Sequence, residues 1–210
     1  MGDAIMAIWG APLDQQDHAQ RACYTALDMV DELRMLQEKW AADGMPKLNI
    51  GIGINAGPMV VGNMGSERRF DYTVMGDSVN LGSRVEGLNK VYGTNVIVSE
   101  ITYERVREEI LARELDSVRV KGKDQPVKIY ELLTRRSQAT PEQQALAQEF
   151  RAALAEYKNR NWERALKGFQ SILERHPHDG PANLYAERCQ VLMKNPPPED
   201  WDGVYTLTTK

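Results

Sequence analysis

Phe70-Asp71-Tyr72-Thr73-Val74-Met75-Gly76-Asp77-Ser78-Val79-Asn80-Leu81-Gly82-Ser83-Arg84-Val85-Glu86-Gly87-Leu88-Asn89-Lys90 changes its periodicity partway along. Tyr72, Thr73 and Val74 suit a strand, whereas Val79, Leu81, Val85 and Leu88 recur at helical spacing, so a strand turns into a helix near Gly76. Asp77 or Ser78 stands where an N-cap belongs, offering a short oxygen side chain to the free amides of the first turn. Asn80 and Arg84 are four residues apart and share one helical face. Such a pair can hold phosphate oxygens, because Arg presents a planar fork of donors and Asn adds orientation. The spacing fits an ordinary solvated face equally well.

Two further stretches bear on that choice. Gly2-Asp3-Ala4-Ile5-Met6-Ala7-Ile8-Trp9-Gly10 sets an acidic residue before an apolar run, and Val120-Lys121-Gly122-Lys123 sets two ammonium groups around a glycine. In this order, over residues 1 to about 133, the three stretches resemble the class III nucleotidyl cyclases. The resemblance implies a catalytic domain at 1–133 that converts ATP to 3′,5′-cyclic AMP and pyrophosphate, in intracellular signalling. It implies roles as well: Thr73 contacts the purine, Asn80 positions the ribose, Arg84 stabilises charge on the α-phosphate, Lys121 and Lys123 reach the phosphates, and Asp3 binds metal. Two Mg²⁺ or Mn²⁺ ions and a homodimer come with it, the metal carboxylates from one subunit and the Asn, Arg and purine contact from the other. Thr73 suits adenine better than guanine in that family, which favours ATP over GTP.

The family's first metal-binding Asp and its adenine-reading Lys would precede Met1, so the start reads as cut. The chain as written is therefore expected to be inactive, and an upstream region could carry a membrane anchor. A catalytically inactive nucleotide-binding regulator, a guanylate cyclase and an adaptor working through the C-terminal part are the alternative readings.

Composition agrees with a soluble globular protein: 42% of residues are apolar and 27% charged, and no run of 18 apolar residues is present. The net charge of −4 and the dispersed Lys and Arg residues provide no basic field for nucleic acid. Cys23 and Cys189 stand far apart with no metal-spaced His nearby, so neither a zinc site nor a disulfide framework is expected, and a reducing cytoplasm is the simplest setting.

The remaining segments give the fold. Ala4 to Trp9 reads as a buried strand, and Asp14 to Asp17 as a polar turn into a helix of about 23 residues whose apolar stripe includes Ala19, Cys23, Ala26 and Val30. His18 carries no chemistry in this reading. Leu48, Ile50, Ile52 and Ile54 alternate with Asn49, Gly51, Gly53 and Asn55, which makes one packing face and one of nearly bare backbone that something approaches closely. Met59 to Gly62 reads as the returning strand, Asn95 to Ser99 as another strand, Ile101 to Ala112 as a helix, and Asp116 to Leu133 as two strands. The expected fold is α+β: a ferredoxin-like antiparallel sheet covered by helices on one side, lacking its first strand.

Past Leu133 the composition shifts. Residues 134–141 read as a polar linker in which Thr140 and Pro141 start a helix. Phe150, Leu154, Tyr157, Trp162, Ala165, Phe169, Leu173 and Pro177 resemble one tetratricopeptide repeat, making 142–194 a helical tail that must dock on something to bury both faces. Residues 195–210 read as extended.

Overall fold

The computed structural model describes residues 4–66, 69–119 and 126–206. In chain order come α1 (His18–Ala42), β1 (Ile52–Ile54), β2 (Val60–Ser66), β3 (Arg69–Met75), α2 (Asp77–Tyr92), β4 (Val96–Ser99), α3 (Glu100–Val106), β5 (Ile110–Arg119), β6 (Val127–Arg135), α4 (Pro141–Lys158), α5 (Trp162–Arg175), α6 (Gly180–Lys194) and β7 (Tyr205–Thr206).

Five strands form one sheet in the order β1-β4-β6-β5-β7. The central pairs β4–β6 and β6–β5 are antiparallel, while the outer pairs β1–β4 and β5–β7 are parallel. The sheet is thus mixed rather than wholly antiparallel, and the α+β class holds.

Helices cover both faces, not one. Val96 and Val98 of β4 point into a core with Cys23, Ala26 and Val30 of α1 and Val106 of α3, whereas Ile97 between them points into a second core. That second core holds Leu81, Val85 and Leu88 of α2, Leu115 and Ile129 from the sheet, and Phe150, Phe169, Tyr185 and Cys189 of the C-terminal helices. All four residues of β4 are buried, as a strand covered on two sides requires.

Local expectations fare unevenly. The strand-to-helix change at Gly76 is as read, but Gly76 itself is the N-cap, and no side chain caps the helix. Its φ of 142° is open chiefly to glycine, which accounts for the residue at this corner. Ala4 to Trp9 is no buried strand: these residues pair with no described strand, and Ile5 is 88% exposed. A strand persists only where a neighbour takes up its backbone groups. Met59 to Gly62 does not return along β1; β2 pairs instead with β3 in a separate hairpin, from Val60 opposite Met75 to Ser66 opposite Arg69. The helix expected to Ala112 ends at Val106, because Ile110 and Leu111 are drawn into the long strand β5. β6 likewise runs through Arg135, two residues into the stretch read as a linker.

The C-terminal part holds three helices rather than a hairpin. α4 opens on a full capping box, Thr140 accepting from the Gln143 amide while the Gln143 side chain accepts from the Thr140 amide. Beyond α6 the chain runs back over α4 and α5: Arg160 donates to the carbonyls of Pro197, Pro198 and Glu199, and Trp201 meets Tyr157 and Trp162 edge to face. It finishes as β7 along the edge of β5.

Candidate functional site

The bare face of β1 is where α2 lies. A Cβ on Gly53 would stand 2.2 Å from the Glu86 amide nitrogen and 2.5 Å from the Gly82 carbonyl oxygen, so the helix backbone sits directly on the strand backbone. The close approach read from the glycines is therefore made by a helix rather than by a ligand. Ile52 and Ile54 face the other way, packed against the α1 core.

Two asparagines hold this crossing. Asn55 Nδ2 donates to the Ser78 carbonyl at 2.8 Å, and its Oδ1 accepts from the Ser99 hydroxyl at 2.6 Å. Thr102 Oγ1 accepts the Ala56 amide at 2.8 Å, fixing the turn that follows β1. Near the helix's far end Asn89 Nδ2 donates to the carbonyls of Ile52 and Glu86, while its Oδ1 accepts from Thr94. Amides shielded from water with both ends engaged in this way, Asn89 buried and Asn55 half-buried, fix an orientation as well as adding stability.

On this mount Asn80 and Arg84 lie one turn apart on the exposed side of α2, beside the buried stripe of Leu81, Val85 and Leu88. Among the described residues neither makes a side-chain hydrogen bond or ion pair, so both fork and amide are available to a ligand. Thr73 is half-buried on β3, opposite Gly62, and leads directly into that helix. Val60 and Met75 share its face of the hairpin and are 66% and 57% exposed. Asn80 and Arg84 thus come together as the spacing implied, with Thr73 on the preceding strand. Asp3, Lys121 and Lys123 lie outside the described residues.

Sequence reasoning missed the far anchor of α2. Tyr92, fully buried in the last turn, donates to Asp116 Oδ2 on β5 at 2.6 Å, and Arg188 Nη1 of α6 donates to the same oxygen at 2.7 Å. Burial, and then the Asp116 charge, hold the Tyr92 hydroxyl well above its ordinary range, so it keeps its proton and acts as donor. A second pairing stands beside it: Arg113 of β5 reaches Glu131 at 2.6 Å and Asp179, the N-cap of α6, at 2.8 Å. Charged residues at strand positions, Arg113 and Asp116, were the available signal, because a strand buried on both faces tolerates charge only where it is paired.

No group of three or more His, Cys, Asp or Glu that could hold a metal ion occurs among the described residues. Nor, among them, is any helix long and apolar enough to cross a membrane.

Comparison with known proteins places this geometry. A family model described as the adenylate and guanylate cyclase catalytic domain matches residues 1–134. Adenylate cyclase 1 of Rhizobium meliloti is 37% identical over 132 residues, covering 63% of this chain and 20% of that protein. The terminal-differentiation-specific adenylate cyclase of Dictyostelium discoideum is 33% identical over 198 residues, covering 92% of this chain and 9% of its own length. The chain therefore spans a small part of each of these relatives. Among solved structures, the adenylyl cyclase CyaB from P. aeruginosa superposes with a TM-score of 0.56 at 32% identity, over 63% of this chain and 68% of that one. The guanylyl cyclase Cya2 does so with a TM-score of 0.54 at 35% identity, over 63% and 66%.

Proposed function

Because the chain belongs to the adenylate and guanylate cyclase catalytic domain family, we propose that it is the part of an adenylate cyclase that grips the ribose and α-phosphate of ATP during ring closure. The observation that carries this reading is the exposed Asn80–Arg84 face, unpaired among the described residues, on a helix whose backbone is pinned to β1. In the reaction the ribose 3′-oxygen attacks the α-phosphorus, the bond to the bridging oxygen of pyrophosphate breaks, and the 3′ proton passes to water. The attack is intramolecular, so holding the ribose at the right angle is itself a large part of the catalysis. Asn80 does that holding. Arg84 meets the negative charge that grows on the α-phosphate, and Thr73 contacts the adenine edge.

The expected Mg²⁺ or Mn²⁺ ions would be held by a pair of carboxylates, of which Asp3 is one. The steps assigned to this chain are those of Asn80, Arg84 and Thr73. Metal and substrate halves from different subunits make the enzyme a homodimer with two equal sites.

The test is the exposed Arg84→Ala variant in an upstream-extended form of the chain. Cyclic AMP formation should fall on the order of 100- to 1,000-fold, while the melting temperature stays put, as expected for an exposed side chain. A loss under about threefold would overturn the assignment. Mixing Arg84→Ala with Asp3→Ala subunits should restore roughly a quarter of wild-type activity, since half the dimers then hold one intact site; a co-expressed mixed dimer without activity would overturn the shared site. The guanylyl cyclase Cya2, similar at 35% identity, supports GTP as a second reading. Competition between the two nucleotides decides it, with ATP turned over faster if Thr73 reads adenine.

A further inference from the structure

We propose that Tyr92 and Arg188, joined through Asp116, are positioning residues for the α2 face that carries Asn80 and Arg84, so that the C-terminal helices belong to the catalytic apparatus. The inference rests on the cyclase reading for its consequence in rate, and on geometry alone for its mechanical part. α2 is held by β1, through Gly53 and the two asparagines, and by its apolar stripe in the core, while its last turn gains one further attachment away from β1. The Tyr92–Asp116–Arg188 junction sets the rotation of that last turn against β5 and α6. One carboxylate oxygen, on β5, takes a hydroxyl from α2 and a guanidinium from α6.

Four further contacts make the junction stiff. The Arg188 guanidinium lies over the ring of Tyr92 at 5.6 Å and over that of Tyr185 at 5.0 Å. The Tyr185 hydroxyl donates to the Leu115 carbonyl at 2.8 Å, tying α6 to β5 one residue from Asp116. Gly93, the left-handed C-cap of α2 at φ 66°, meets Gly180 at the start of α6, where a Cβ would stand 2.4 Å from the Tyr92 carbonyl oxygen. The ends of the two helices therefore touch backbone to backbone.

A buried ion pair of this kind adds little stability over apolar residues of the same shape, and its directional bonds are better suited to fixing one arrangement. Side-chain tips stand about 6 Å from a helix axis, so a rotation of about 10° would carry the Arg84 fork about 1 Å from its place. A misplacement of about 1 Å costs on the order of 100-fold in rate. Junction and fork are two helical turns apart on one rigid element, close enough for such a rotation to pass undiminished.

Tyr92→Phe tests the idea with the ring kept, and Arg188→Lys with the charge kept. In the upstream-extended enzyme Tyr92→Phe should lower kcat about tenfold with KM for ATP within about twofold of wild type. In the Arg84→Ala background the same change should cost clearly less, because only Asn80 is then left to misplace. Equal losses in both backgrounds would mean that Tyr92 serves folding only, and an undiminished kcat would mean that the junction sets nothing; either result overturns the proposal. If Arg188→Lys does not fold, Tyr92→Phe decides alone.

Hydrogen exchange on residues 1–210 reads the mechanical part without any turnover. Tyr92→Phe should speed exchange across α2 at least tenfold while β5 and β6 keep their protection, and unchanged α2 exchange overturns the proposal. An enzyme that makes no cyclic nucleotide while α2 loosens as described would sink the cyclase reading and leave the positioning intact.

Discussion

Gly53 is the residue on which the arrangement of the site depends most directly. A methyl group there would meet backbone atoms of Glu86 and Gly82, neither of which can swing aside like a side chain. Gly53→Ala is therefore expected to cost about 3 kcal/mol, at the upper end of overpacking, read from the urea midpoint. The same change at Gly62, where a Cβ has open space, should leave that midpoint nearly unmoved. Alternation over residues 48–55 made the bare face legible in the sequence, but not what would lie on it. Asn55 and Asn89 were not legible at all. Only the folded chain shows each amide spanning two elements.

At the scale of elements, α4 and α6 allow a controlled comparison of helix starts. Thr140 and Asp179 are both N-caps with side chains accepting a backbone amide, yet only Asp179 also meets a buried guanidinium, Arg113. Thr140→Ala should cost about 1 kcal/mol, the ordinary loss of a cap. Asp179→Ala should cost about 3 kcal/mol or more, since it takes one partner from a buried charge pair. Equal losses in chemical denaturation would show that the Arg113 contact carries no energy. The start of α4 could be read beforehand, because a capping box is a local signal confined to four residues. α6 could not, since Asp179 derives its importance from a strand residue far back in the chain. The same distance effect ended α3 early: the pull of β5 on Ile110 and Leu111 prevailed over local helical spacing.

For the molecule as a whole, two cores share one sheet, and each contains a cysteine. Cys23 sits in the α1 core and Cys189 in the core of α2 and the C-terminal helices, both without exposed surface. Burial pushes both thiols up to about 12. A thiolate reagent at pH 8 should therefore label neither in the native protein, and labelling should follow unfolding. Because β4, β5 and β6 contribute to both cores, the two thiols should become reactive at the same urea concentration. Earlier labelling of Cys189 would show that the C-terminal helices melt as a separate unit. The α+β class and a helical C-terminal part were legible in the sequence; the covering of the sheet's second face by that part was not, since it rests on contacts such as Tyr185 to Leu115, 70 residues apart.

The Asp116–Arg188 pair also sets a clock. Arg188 follows Asp116 by 72 residues, and at about 5–20 residues per second of synthesis the strand waits roughly 4–14 s for its partner. At the start of that interval the inner side of α2 and one broad side of the sheet stand open, and until α6 is made the Asp116 carboxylate lacks its guanidinium. A nascent chain paused before α6 would carry its half of the site on a platform unable to close, and until that helix is made the platform would be a surface for chaperones to hold.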